Sequence, residues 1–321
     1  MRLLRRQHIP LLATVGMLIV LFSVASALYP GFASLRVVAN LFSDNAFLGI
    51  VAVGMTFVIL SGGIDLSVGA VLAFTTILIA SLVGAGWHPL LAISVALVLG
   101  SGFGAAMGWL IHRFILPPFL VTLAGMFFAR GMAFLVQAQS AVVSHPFYDA
   151  LGDLRLQIGP KAYLPITALL FLLVVLVGIV IARRSRFGRA VYAIGGAEAS
   201  ALMMGLPVGR TKVRVYALSG FCASLGGVAA TLYMGSGNPA MGSGLELDAI
   251  AAVVIGGTLL TGGVGSVFGT LAGVLIFGTI QSALVFDGRL NSWWLRIVIA
   301  SLLLAFILLQ KALTRSASAH P

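Results

Sequence analysis

The chain has 321 residues, 60% of them hydrophobic and only 8% charged, against about 25% charged in an ordinary soluble domain, so the composition excludes a soluble globular fold. The mean hydropathy is +1.12. The net charge of +11 would point to nucleic acid in a soluble protein, but in a chain this apolar the basic residues have to be read by position.

A hydrocarbon core of about 30 Å takes roughly 20 apolar residues per helix, and the runs here have that length, too long for barrel strands. The fold class is therefore an all-α integral membrane protein. Apolar runs bounded by Gly, Pro or charge fall at 10–28, 40–60, 66–83, 89–111, 118–137, 164–182, 213–234, 247–260, 266–286 and 293–309. They predict a polytopic helical bundle of about ten transmembrane helices in a single membrane-embedded domain, 1–321.

The first run follows Arg2, Arg5 and Arg6 and has Ala25-Ser26-Ala27 near its end, which resembles a secretory signal. It is nearer a full span than a signal core of about 7–15 residues, so an uncleaved first helix is expected. The second and third runs are joined by Ser61-Gly62-Gly63-Ile64-Asp65. Gly62-Gly63 is expected to end one helix and Asp65 to cap the next; the alternative is that Asp65 is a ligand for a passing substrate. In the fourth run, Gly100, Gly104 and Gly108 recur every fourth residue, a spacing that lets helix backbones approach closely.

Two longer connections follow, an outer one at 138–163 carrying His145, Pro146, Tyr148, Asp149 and Asp153, and an inner one at 183–212. The inner one joins a basic cluster to helix formers from Ala197 to Met204, ended by Gly205 and Pro207. Cys222 lies within the seventh run and is expected to pack as a small hydrophobe. Glu246 and Asp248, like Asp44, are expected to open spans, where an acid at a helix N terminus is stabilised by the dipole. Arg130 and Arg296 are expected to snorkel or to pair with one of these acids. The eighth run is short, and it meets the ninth at Thr261-Gly262-Gly263-Val264-Gly265, a joint tight enough that either neighbour could be re-entrant.

Residues 252–269 echo 52–69 at an offset of 200: Ser61-Gly62-Gly63-Ile64 matches Thr261-Gly262-Gly263-Val264. The echo reads as a parallel repeat of a broken helix pair, although two Gly-rich apolar runs also match by chance. The second copy lacks the acid, and Ser266 is expected to cap in its place.

With the N terminus on the cytoplasmic side, Arg2, Arg5, Arg6, Arg113, Arg183, Arg184, Arg186, Arg189, Arg210, Lys212, Arg214, Lys311 and Arg315 fall inside. Arg36, Arg155, Lys161 and Arg289 fall outside. The positive charge is thus a topology signal with both termini cytoplasmic, and no nucleic-acid partner is expected. No G-x-x-x-x-G-K-[ST], H-E-x-x-H, C-x-x-C or G-x-S-x-G arrangement occurs, so neither a P-loop ATPase nor a membrane-embedded enzyme is indicated. A ladder of intramembrane acids and histidines, as a proton-coupled carrier would need, is missing too, which weakens the alternative of a stand-alone secondary carrier or facilitative channel. No metal site is expected.

Four segments carry a resemblance: "DNAFLGIVAVGMTFVILSGGIDLSVGAVLAF" (44–74), "TLAGMFFARG" (122–131), "RFGRAVYAIGGAEASALMMGL" (186–206) and "ELDAIAAVVIGGTLLTGGVGSVFGTL" (246–271). They resemble permease subunits of bacterial ABC importers for ribose-type sugars, a family that includes xylose, rhamnose and autoinducer-2 permeases. "HPFYDAL" (145–151) and "SWWLRI" (292–297) are similar to a galactofuranose importer permease in particular. The resemblance implies a non-catalytic transport subunit in the cell inner membrane, working with a second, homologous permease chain, a periplasmic sugar-binding protein and a cytoplasmic ATP-binding subunit. ATP and Mg would be used by that partner, with no cofactor on this chain. It also implies a coupling helix in "EASALMMGLP" (198–207). The expected ATPase-coupling residues are Gly195, Gly196, Glu198, Ala201 and Gly205. The expected translocation-pathway residues are Asn45, Ser61, Gly62, Gly63, Asp65, Glu246, Asp248, Thr261, Gly262 and Gly263.

Overall fold

A computed structural model describes residues 9–289 and 293–318. Arg2, Arg5, Arg6 and Ser292, used in the sequence reading, lie outside the described residues.

In chain order the helices are α1 (Ile9–Leu28), α2 (Leu35–Asp44), α3 (Ala46–Leu60), α4 (Val68–Gly84), α5 (Pro89–Arg113), α6 (Pro118–Val136), α7 (Pro146–Gly152), α8 (Ile166–Arg184), α9 (Arg186–Gly196), α10 (Glu198–Met203), α11 (Val208–Met234), α12 (Leu245–Ile255), α13 (Val267–Asp287) and α14 (Trp293–Ser318). Four short strands join them: β1 (Ala141–Val142) pairs antiparallel with β4 (Ser236–Gly237), and β2 (Arg155–Gly159) with β3 (Ala162–Pro165).

The all-helical membrane class holds, but the count of ten does not carry over. Among the described residues six helices are long and apolar enough to cross a membrane, namely α1, α5, α6, α8, α11 and α13, or seven if α2 and α3 form one bent span. The expected span 40–60 is broken at Asn45, where α2 and α3 meet at 57°. Asn45 Nδ2 donates to Leu41 O at 3.0 Å. The side chain thereby takes the carbonyl that the residue's own N–H would use in a continuous helix. The third run gives 17-residue α4 and the eighth the 11-residue α12, the latter only about 16 Å long at 1.5 Å per residue. In α14 the described apolar stretch is Arg296–Ala305.

Why α12 is short is visible in what precedes it. After β4 the chain re-enters the bundle alongside α4: Thr76 Oγ1 donates to Asn238 O at 3.3 Å and accepts from Asn238 N at 3.1 Å. Farther along, a methyl group added at Gly69 would land on Gly242 O. Thr76 and Gly69 are about 10 Å apart along a helix. The irregular stretch therefore runs back along α4 to its start before α12 begins, packed against that helix, with Ala240 and Ser243 exposed. The re-entrant element is the stretch ahead of α12.

The core is built on α11. Gly100, Gly104 and Gly108 of α5 face it; at Gly100 the Ser224 side chain occupies the space a methyl group would need, and at the other two the backbones themselves approach. A methyl group at Gly104 would strike Tyr216 O, and one at Gly108 would lie 2.9 Å from Val213 Cα. Gly54 of α3 meets Cys222 on another face, and Cys222 is buried as a small apolar group, as expected. The outer connection is anchored to the far end of α11, where the Tyr148 hydroxyl shares a hydrogen bond with Thr231 Oγ1. Burial pushes the Tyr148 phenol up to about 12, so it stays neutral there.

Candidate functional site: the paired helix joints and the coupling segment

Both broken pairs stop by the same device. At the end of α3, Gly62 is left-handed with φ +79°; its N–H donates to Ile59 O at 2.9 Å, and Gly63 N donates to Val58 O at 3.0 Å. At the end of α12, Gly257 has φ +90°, its N–H donates to Val254 O at 2.9 Å, and Thr258 N donates to Val253 O at 3.2 Å. This is the double closure of a Schellman end, which needs a residue free of Cβ strain at its turning point. The sequence echo aligned Gly262 with Gly62, whereas the structural counterpart of Gly62 is Gly257. The second helix thus ends earlier than the repeat predicts, and its joint spans 256–266 against 61–67 in the first. In the longer joint Gly262, Gly263 and Gly265 are also left-handed.

The joints touch. Gly263 N donates to Leu60 O at 3.0 Å, and a methyl group at Gly262 would lie 2.9 Å from Gly62 N. Both rest on the C-terminal end of α9. A methyl group at Gly195 would collide with Leu60 O and come within 2.6 Å of Gly263 N, and one at Gly263 would come within 2.7 Å of Gly196 Cα. Tyr192 OH donates to Gly265 O at 2.9 Å, and burial raises the Tyr192 phenol while Arg183 opposes the shift. The Phe187 and Phe57 rings stack at 6.0 Å. Residues expected to serve two purposes, Ser61 to Gly63 with Thr261 to Gly263 for the pathway and Gly195 with Gly196 for coupling, thus form one backbone seam. A cavity of about 370 Å³ opens beside it, lined by Arg183, Tyr192, Gly256, Gly257 and Gly263 to Ser266 among others.

Asp65 is fully buried. Oδ1 accepts from Ser67 N at 2.9 Å and Ser67 Oγ at 2.7 Å, and Oδ2 accepts from Ser219 Oγ at 2.7 Å. The N-cap position of α4 is Ser67, so Asp65 stands two residues ahead of the place expected for it; its carboxylate turns the chain into α4 and ties that turn to the middle of α11. Tyr216 OH donates to Ile64 O at 3.3 Å and fastens the same turn. In the second joint Ser266 Oγ accepts from Gly269 N at 3.0 Å, the cap expected there.

The other pathway candidates lie elsewhere. Asn45 is at the α2–α3 bend, cleared by Gly278 of α13. Asp44, expected to open a span, is the last residue of α2, and its Oδ1 accepts from Tyr233 OH at 3.0 Å. Glu246 and Asp248 do stand in the first turn of α12. Glu246 Oε1 accepts from Gly244 N at 3.2 Å, while Oε2 is buried beside Gly69 with no hydrogen-bond partner among the described residues. Arg130, expected to snorkel or pair with an acid, donates through Nη1 to Pro239 O at 2.7 Å and Met241 O at 2.6 Å and so pins the re-entrant stretch. Arg296 acts electrostatically on Asp248 and lies 5.3 Å from the Trp293 ring.

Beyond the seam, α10 projects away from the bundle. Ala201 is fully buried, but Leu202, Met203 and Met204 are 65%, 89% and 69% exposed. Gly205, left-handed at φ +76°, turns the chain back toward α11. Lys212 Nζ bridges to Glu198 Oε1 at 2.6 Å and holds the base of the projection. Sequence reasoning missed Arg130 as a clamp on backbone and Tyr192 as a strap on the second joint. Both act on carbonyls, which carry no sequence signal. Among the described residues no group of three or more His, Cys, Asp or Glu could hold a metal ion.

Residues 37–307 match the family described as "Branched-chain amino acid transport system / permease component". The chain is 51% identical to the inner membrane ABC transporter permease protein YjfF of Escherichia coli (strain K12), over 96% of this chain and 94% of that one. It is 39% identical to the fructose import permease protein FruG of Bifidobacterium longum (strain NCC 2705), over 96% and 92%. To the ribose import permease protein RbsC of Bacillus subtilis (strain 168) it is 38% identical over 92% and 90%. No solved structure matches. With its bundle of apolar helices and a family match from Val37 to beyond the start of α14, the chain belongs to this family of transport-system permease components.

Proposed function

We propose that the chain is a membrane-spanning subunit of an ABC importer that carries a monosaccharide from periplasm to cytoplasm, with galactofuranose as the sugar. Relatives named for ribose and fructose import support the sugar class. Galactofuranose rests on the likeness of His145–Leu151 and of residues 292–297 to a permease for that sugar. The permease sits in the cell inner membrane with both termini cytoplasmic, so the end bearing Arg113, α9 and α10 faces the cytoplasm.

The observation that carries this reading is the exposed apolar tip Leu202-Met203-Met204, one short turn from the seam where both joints lie. An apolar tip held in water is a docking surface. A cytoplasmic ATP-binding subunit that grips it moves α10, and α10 moves α9. The Gly195–Gly196 end of α9 bears directly on the carbonyl of Leu60 and the amide of Gly263, so the displacement reaches α3, α4, α12 and α13 together. The partner uses ATP and Mg; this chain supplies the passage. A second, homologous permease chain completes the passage and a periplasmic sugar-binding protein delivers the sugar.

Met203→Asp paired with Leu202→Asp puts two carboxylates into that contact. Docking of the ATPase is expected to weaken roughly tenfold or more, about 1.4 kcal/mol, with ATP-driven uptake falling in step and membrane insertion intact. Full uptake by this variant would remove α10 from the coupling role. Galactofuranose uptake in proteoliposomes supplies the wider test: transport by the permease chains with no ATPase subunit present would overturn the importer reading. Failure of galactofuranose to bind the cognate binding protein would overturn only the choice of sugar.

A further inference from the structure

Of the four basic residues expected away from the basic end of the bundle, three converge. Arg36, Arg155 and Lys161 line one cavity of about 630 Å³ at the opposite end, with Asp44, Tyr163 and Tyr233 also in its wall. The positive-inside pattern leaves few cations on this side, so their meeting at one place calls for an anion. Arg155 gives two of its N–H groups to the exposed Asp153, Nε to the backbone carbonyl at 3.4 Å and Nη2 to Oδ1 at 3.3 Å, and lies 6.0 Å from the Tyr163 ring, while Asp44 is engaged by Tyr233. Arg36 and Lys161 form no ion pair among the described residues, and the lining holds three cations and a single carboxylate. A neutral sugar gives no reason for that excess.

The hairpin that forms one wall is two-faced. Leu156 pairs with Leu164 and Gln157 with Tyr163, so Arg155, Gln157 and Tyr163 share one face and Leu156 and Leu164 the other, the register shifting between Gln157 and Gly159. The apolar face is open: Leu156 is 53% exposed, and Leu154 beside it likewise. Gly159 rests the hairpin end on Leu35 of α2, itself exposed. An apolar face beside a cationic cavity flanked by two tyrosines, at the end of a bundle of membrane helices, has the chemistry of the headgroup layer.

We propose that this cavity binds the phosphate headgroup of an anionic phospholipid, with the hairpin lying in the interface and Arg36, Arg155 and Lys161 contacting the phosphodiester. The site depends on the placement of the chain in a membrane and not on the sugar assignment.

The test uses the purified full-length chain with its transport partners in nanodiscs of phosphatidylcholine and phosphatidylglycerol, followed by delipidation and native mass spectrometry of the retained lipid. Phosphatidylglycerol should be retained over phosphatidylcholine. Arg36→Gln with Lys161→Gln should cut that preference roughly 30-fold, the product of two cations each worth about fivefold near a lipid surface. Lys161→Arg should keep it. Arg289→Gln, at the same end but outside the cavity, should also keep it; an equal loss there would mean diffuse surface charge and overturn the site. Equal retention by the double variant would overturn it as well. Displacement of the lipid by millimolar glycerol 3-phosphate would make the ligand a soluble phosphate and overturn the lipid proposal. So would a double variant that keeps its lipid but loses stimulation by the periplasmic binding protein, because the cavity would then be a protein-docking surface.

Discussion

Gly195→Val is expected to abolish ATP-driven uptake. At this position the branched side chain has nowhere to go: its Cβ alone would collide with Leu60 O, and Gly263 N is 2.6 Å away. Both are backbone atoms, so no rotamer change relieves the clash, and α9 must leave the joints or the joints must open. Overpacking of this kind costs about 1–3 kcal/mol, and a rigid backbone neighbour puts it at the upper end. Uptake should fall at least tenfold, whereas Gly196→Ala, which meets nothing within 4 Å, should transport normally. Gly195→Ala serves as the milder probe if the valine variant fails to accumulate. Wild-type uptake by Gly195→Ala and Gly195→Val together would show that the seam carries no motion.

The second large effect is at Asp65. Asp65→Ala removes the acceptor for Ser67 N, Ser67 Oγ and Ser219 Oγ in a fully buried place. The serine hydroxyls can rotate to helix carbonyls, but the Ser67 amide cannot, and a buried unsatisfied donor costs about 1–3 kcal/mol. With the lost turn at the start of α4, a loss of about 3 kcal/mol in thermal unfolding is expected, and uptake should fall with it. Asp65→Asn keeps an oxygen for both Ser67 bonds and lets the Ser219 hydroxyl reverse to accept from Nδ2. It should stay within about 1 kcal/mol of wild type and retain transport. An asparagine variant that folds normally but does not transport would make the charge itself part of the mechanism.

What the sequence made legible were features written in side-chain type. Runs of apolar residues became helices, Gly100, Gly104 and Gly108 became a close packing face, and Ser266 became a cap, because each depends on what a residue is. The coupling role expected of Gly195 and Gly196 came from resemblance, and the close approach that requires a glycine at 195, to Leu60 O and Gly263 N, appears only in three dimensions. Features set by backbone geometry were hidden. Asn45 looks like any polar residue in an apolar run, yet its amide takes over one carbonyl and bends the span by 57°. The repeat placed the second break at Gly262 because the letters match there, but Gly256-Gly257 offers an earlier Schellman end. The descent of 238–242 beside α4 is irregular backbone without periodicity, held through Thr76 and Arg130, and no window average detects it.

The glycine face of α5 against α11 has one further consequence. At Gly104 and Gly108 the backbones of α5 and α11 approach directly, with few side chains to yield between them, so the two helices are expected to move together. Asp65 fastens the start of α4 to that pair through Ser219. Any rocking between open and closed forms must then be absorbed where φ and ψ can change at low cost. The left-handed glycines at 62, 257, 262, 263 and 265 are such hinges. The longer joint holds four of them and the shorter joint one, so the α12–α13 joint is expected to absorb more of any such motion than the α3–α4 joint.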